Sequence, residues 1–245
     1  MSNQVEIVRE GLVLRFTLNN PENGNEITGE MFEAMLAELR KETENPQTRI
    51  LHIRATGDKF CTGRERSARS TEEMKTEVKR LVGFKQLLRK LPLITIAEVQ
   101  GDAKGFGFGM AILCDFAIVS EDAVLSFPEI KMGLAPTAVM SYLSEYIPIR
   151  QAFSLVVTGE PISPKRASEM GLVSESVPRH RLSKRVEEII HSILQLDEQA
   201  VTDCKEFFQT AIQNHFDVNA KLAIHSLTVG SLSMNERKNN KRGCV

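Results

Sequence analysis

ITIAEVQGDAKGFGFGMAILCDFAIVSEDAVLSFPEIKMGLAPTAVMSYL, residues 94–143, is the stretch on which the fold turns. Ile94 to Val99 is a short apolar run rich in β-branched residues, the pattern of a buried strand. It runs into the glycine-rich turn 100–109, and an apolar helix then continues through Leu113. Strands are expected again at Phe116 to Val119 and Val124 to Phe127, with Pro128-Glu129 directly after the second. Upstream, Met74, Val78, Leu81, Phe84, Leu88 and Leu91 mark one face of a long helix that Pro92 ends. Ile50 to Ile53 reads as extended. Before it, Met31, Phe32, Met35, Leu36 and Leu39 recur at helical spacing, with Thr28 as N-cap and Asn45-Pro46 as the stop. The chain opens on a hairpin: Val5 and Ile7, a turn at Arg9-Glu10-Gly11, then the run Leu12 to Leu18. Downstream, Ser163 as N-cap, Pro164 in the first helical position and Gly171 at C′ bracket another helix. Beyond Pro178 the period is helical only, over 182–196, 201–212 and 218–232. The expectation is an α/β core over residues 1–195 and a helical C-terminal part over 196–245, with the polar end from Asn235 fraying.

A chain of 245 residues with 42% hydrophobic content suffices for one large domain, or a domain with a small appendage. Thirty-one basic against 32 acidic residues leave a net charge of −1, which gives no global field for nucleic acid or an anionic membrane. Trp is absent and Tyr occurs twice, so a platform for stacking bases is not expected either. The start MSNQVEIVREGLVLRF has no basic stretch followed by an apolar one, and no segment approaches ~18 consecutive apolar residues. A cytoplasmic protein without membrane contact is expected. Cys61, Cys114, Cys204 and Cys244 show no CxxC spacing, and His52, His180, His191, His215 and His225 show no HxxxH or HxH. Neither a metal site nor a disulfide framework follows. No histidine joins a Ser-His-Asp set, and no base pairs with Cys61 for nucleophilic catalysis.

Three loops at strand ends carry the chemistry. Phe60-Cys61-Thr62-Gly63-Arg64-Glu65 is the first. The second, 100–109, opens an apolar helix, so its N–H groups and the helix dipole favour negative charge. It contains G-x-G-x-G, with neither G-x-G-x-x-G nor the lysine-serine end of a P-loop, and tight packing of helix on strand explains it equally well by itself. The third is Ser126-Phe127-Pro128-Glu129-Ile130, where a lone acid after proline is most often a helix N-terminal acid.

In this order and at these intervals the three segments, together with NPENGNEIT and with LVVTGEPISPKRASEMGLVSESV, resemble the enoyl-CoA hydratase/isomerase (crotonase) family from about Leu12 to Val177. The resemblance implies a spiral of ββα turns, a homotrimer or dimer of trimers assembled through the C-terminal helices, and a thioester of coenzyme A as substrate, with no separate cofactor. Position by position, it makes the N–H groups of Arg64 and Phe106 the oxyanion donors and Glu129 the catalytic acid/base. It places substrate at Glu26, Ile27, Cys61, Gly63, Glu65, Gly105, Gly109 and Thr137. Two departures stand out: Phe106 replaces the usual glycine, so its side chain must point away from the thioester, and Gly109 replaces a second catalytic acid.

Physics agrees with this assignment, because proton removal beside a thioester carbonyl and addition of water across its double bond both pass through an enolate oxygen that two fixed N–H donors stabilise. A general acid/base works best there in a poorly hydrated pocket. With one carboxylate, isomerisation is favoured slightly over hydration. Decarboxylase or dehydratase action on a CoA or carrier-protein thioester is the alternative enzyme, and a catalytically degenerate binding or assembly paralogue the alternative from another class. Glu98 is expected in a salt bridge, either to Lys104 or within the trimer, and Glu65 as a loop-ordering residue. Arg64, Arg66 and Arg69 either meet the phosphates of coenzyme A or lie on a solvated loop.

Overall fold

The structure is a computed structural model that describes residues 4–212 and 214–242. Cys244 and the terminal residues 243–245 lie outside the described residues. Two compact units meet between Ser192 and Ile193.

In the first unit, strands β1 (Val5–Glu10) and β2 (Val13–Leu18) form the expected hairpin, followed by helix α1 (Gly29–Glu44). Then come β3 (Ile50–Ala55), β4 (Lys59–Cys61), α2 (Thr71–Lys90), β5 (Ile94–Val99), β6 (Asp102–Lys104), α3 (Phe106–Leu113), β7 (Phe116–Ser120) and β8 (Leu125–Ser126). Helices α4 (Thr137–Leu143), α5 (Ile149–Thr158) and α6 (Pro164–Met170), strand β9 (Glu175–Val177) and helix α7 (Leu182–Leu194) follow. Six strands pair in the order β1-β2-β3-β5-β7-β9, antiparallel only between β1 and β2, and β4-β6-β8 form a second, parallel sheet. Each turn of the chain thus gives one strand to the large sheet and the next to the small one. In two of the turns a helix comes directly after: β3-β4-α2 and β5-β6-α3. This is the crotonase spiral.

The local reasons are those of the sequence. Strands β3, β5 and β7 are near-continuous apolar runs, as central parallel strands must be. Thr28 accepts a hydrogen bond from the Met31 N–H at the head of α1, and Ser163 does the same for Arg166 in α6, which Gly171 closes in the left-handed conformation. Ser70 and Glu73 form a capping box at the start of α2. That helix departs from expectation at one point: Met74 and Val78 are exposed, and its apolar face is covered only from Leu81 onward, where it meets α1 and α3. The small sheet was not legible in the sequence, because strands of two or three residues leave no period to read. The expected strand Val124 to Phe127 shrinks to Leu125–Ser126 for that reason.

The second unit consists of α8 (Glu198–Ala211) and α9 (Phe216–Arg242). The fraying expected from Asn235 does not occur through Arg242, since the helix, once nucleated, is continued by good formers such as Glu236, Arg237, Lys238 and Lys241. Phe208, Ile212, Ile224, Leu227 and Leu232 are exposed.

Candidate active site

The strands of the small sheet end in the loops that carry the chemistry. Pairing of Cys61 with Ala103, and of Lys104 with Ser126, sets the loops after β4, β6 and β8 side by side. Between β4 and α3 the approach is backbone to backbone: a Cβ on Gly107 would lie 2.2 Å from the Cys61 carbonyl oxygen and 2.6 Å from its Cβ. Gly107→Ala should therefore destabilise the protein by about 1–3 kcal/mol through overpacking and separate the two loops, an outcome read as a lower urea midpoint together with a lower kcat.

Arg64 pairs with Ile27 in an isolated parallel bridge whose bonds run from the Ile27 N–H to the Gly63 oxygen and from the Glu65 N–H to the Ile27 oxygen. In a parallel ladder this turns the N–H of Arg64 to the opposite side. Phe106 is the first residue of α3, so its N–H is among those that a helix leaves without an internal acceptor. Its ring packs edge-on against Phe32 and tilted against Phe84, with centroids 5.1 and 5.7 Å apart, and the residue is buried. Gly105, at φ +53° and ψ −113°, holds a conformation only glycine adopts readily, and a Cβ there would meet Glu129 Oε1 at 2.6 Å. The carboxylate of Glu129 thus lies over the start of α3. It is carried by a 3₁₀ turn, Pro128–Met132, which Gly133 closes, and its Oε2 is buried without a hydrogen-bond partner.

These groups border one cavity of about 460 Å³. Of the residues singled out in the sequence, it brings together Glu26, Gly63, Arg64, Gly105, Phe106 and Glu129. Ile27, Cys61, Glu65, Gly109 and Thr137 are not in its wall. Ile27 instead holds the Arg64 loop through its backbone. Cys61 is fully buried with Sγ 3.2 Å from the Gly63 oxygen, and burial pushes its thiol up to about 12, which makes it inert. Glu65 is exposed and accepts from the Gly29 N–H at the head of α1, an ordering role. Thr137 is exposed on α4, where Pro136, Ala138 and Val139 make the wall. Gly109 faces Tyr142 Oη and Lys85 Nζ, which would lie 2.6 and 2.9 Å from a Cβ on it.

Of the basic run, only Arg64 and Arg66 reach the cavity, and the guanidinium of Arg64 is occupied by Glu77 at 3.1 Å. Burial alone would raise the Glu77 carboxyl, but hydrogen bonds from Ser67, Arg64 and Ala68 hold it below its ordinary value. The expected pairing of Glu98 with Lys104 is corrected as well. Lys104 pairs with Asp102 at 2.9 Å, whereas Glu98 lies 2.9 Å from His52 Nε2 and accepts from the Ser183 hydroxyl, because β3 and β5 are neighbours in the large sheet. Lys85 in the cavity wall was missed. Its signal was a lysine on the apolar face of α2, between Leu81, Phe84 and Leu88.

Known proteins resemble this chain in sequence and in fold. In Xenopus laevis the Enoyl-CoA hydratase domain-containing protein 3, mitochondrial, is 30% identical over 80% of this chain and 68% of its own length. The Enoyl-CoA isomerase/hydratase fer4 of Mycosarcoma maydis is 28% identical over 74% of this chain and 71% of its own. The crystal structure of Enoyl-CoA Hydratase from Bacillus anthracis superposes with a TM-score of 0.87 at 26% identity, covering 92% of this chain and 90% of that one. A family model described as Enoyl-CoA hydratase/isomerase matches residues 9–237, so the chain belongs to the enoyl-CoA hydratase/isomerase family.

Proposed function

We propose that the cavity binds an acyl-CoA thioester with its carbonyl oxygen between the N–H groups of Arg64 and Phe106, and that Glu129 moves the proton in an enoyl-CoA isomerisation or hydration. The observation that carries this reading is the carboxylate of Glu129 held over Gly105, beside the first N–H of α3, in the same cavity as Arg64. Deprotonation of the acyl chain would put charge on the thioester oxygen, where one positioned N–H donor is typically worth about 3–4 kcal/mol. Isomerisation is the favoured member of the pair. A double-bond shift needs one base that removes a proton and returns it elsewhere, and the place of a second acid is held by Gly109, with Lys85 and Tyr142 packed over it. Supplying the protein with trans-3- and trans-2-enoyl-CoA of equal length tests this. Faster conversion of the 3-enoyl to the 2-enoyl thioester supports isomerisation, faster formation of the 3-hydroxyacyl product supports hydration, and turnover of neither removes the reading.

Assembly belongs to the same proposal. The exposed Phe208, Ile212, Ile224, Leu227 and Leu232 of the C-terminal helices form apolar surface that self-association would cover. A homotrimer, or a dimer of trimers, is the expected outcome of light scattering at micromolar concentration, and a monomer would end that part of the reading.

A further inference from the structure

Lys85 is 6% exposed, on the wall of the active-site cavity and on the apolar face of α2. Its Nζ donates to Tyr142 Oη at 3.1 Å, and Tyr142 in turn donates its hydroxyl hydrogen to the Gly109 carbonyl at 3.0 Å. One of the ammonium's three N–H groups is used in this way. The rings of Phe106 and Tyr142 lie 5.6 and 5.1 Å from Nζ, and no carboxylate among the described residues stands at ion-pair distance from it. Burial lowers the ammonium to about 8, against an opposing pull from the Glu129 carboxylate, so at neutral pH it remains mostly charged. A buried cation with donors to spare, and with Glu129 near but outside ion-pair distance, is suited to an anion from the ligand.

We propose that the acyl chain taken by this site carries a carboxylate that pairs with Lys85. The proposal rests on the thioester reading above and names the substrate class within it. The geometry also sets the chain length. Gly109 lies three residues beyond Phe106 on α3, about 4.5 Å along the helix, and Lys85 Nζ sits 2.9 Å from the Cβ position at Gly109. An anion held by Lys85 and an oxygen held by the Phe106 N–H would thus be separated by on the order of one helical turn, a span suited to a short acyl chain. Short dicarboxylic monothioesters of CoA fit.

Titration calorimetry of the full chain with glutaryl-CoA and pentanoyl-CoA tests this, because the two differ only by a carboxylate in place of a methyl group. At pH 7 glutaryl-CoA should bind about ten-fold tighter or more, the worth of a charge-assisted hydrogen bond. The preference should fall as pH rises through the range in which Lys85 loses its proton, and it should vanish at pH 7 in Lys85→Met. Glu26, Glu129, Arg64, Arg66 and Tyr142 also face this space, and Lys85→Met titrated over the same pH range carries their contribution. Equal affinity for the two ligands at pH 7, or a preference that survives in a folded Lys85→Met, overturns the assignment. If neither thioester binds, the thioester reading itself falls and this proposal with it. Where the methionine variant does not fold, Lys85→Gln titrated over the same pH range takes its place, and a preference that survives in it overturns the assignment.

Discussion

Glu129→Gln should keep acyl-CoA binding and lower turnover by about two to four orders of magnitude, the usual worth of a positioned acid/base. The substitution preserves shape and leaves the backbone N–H groups of Arg64 and Phe106 in place, so the proposed oxyanion donors would persist while the proposed proton transfer would be lost. Stability should hold. Oε2 is buried without a partner, so exchanging the carboxyl for an amide of the same shape breaks no hydrogen bond at that atom. Initial rates and calorimetry on the same preparation check both halves. Near wild-type turnover in a well-folded variant would assign the proton to another group.

Glu98→Ala should show the opposite signature: a loss of about 1–3 kcal/mol in stability, as when a buried group loses its hydrogen-bond partner, with activity kept in the molecules that remain folded. His52 is fully buried between Arg15 at Nδ1 and Glu98 at Nε2, and Ser183 of α7 bonds the same carboxylate. Removing the carboxylate leaves the buried His52 ring without it, whereas the candidate site cavity does not include Glu98. Burial alone would raise the Glu98 carboxyl, but His52 and Ser183 more than offset this and hold it below its ordinary value. The folded chain therefore binds that proton more weakly than the unfolded one. The stabilisation is complete above the unfolded carboxylate value, about 4.3, and is lost as pH falls through the lower folded value. Urea melts between pH 3 and 7 should show a shallower acid loss in the variant than in the wild type. A stable but inactive Glu98→Gln would mean that Glu98, and not Glu129, carries the proton.

Most of the scaffold was legible because it rests on local signals. The apolar runs of β3, β5 and β7, the caps at Thr28 and Ser163 and the left-handed glycine at Gly171 each act within a few residues, and the sequence states them directly. Arg64, Phe106 and Glu129, which the family resemblance singled out at strand ends, border one cavity in the structure. What the sequence by itself determined was therefore the succession of elements and the positions of the glycines, with Glu129 placed directly after a strand. The tertiary structure alone decided which of these side chains share a space. Glu65 turned to cap α1, Cys61 went under its loop, Glu98 found His52 across the sheet, and Lys85, forty-four residues before Glu129, came to the same cavity. The physical reason is that a buried charge is placed by partners distant in the chain, and no local period records which partner it will meet.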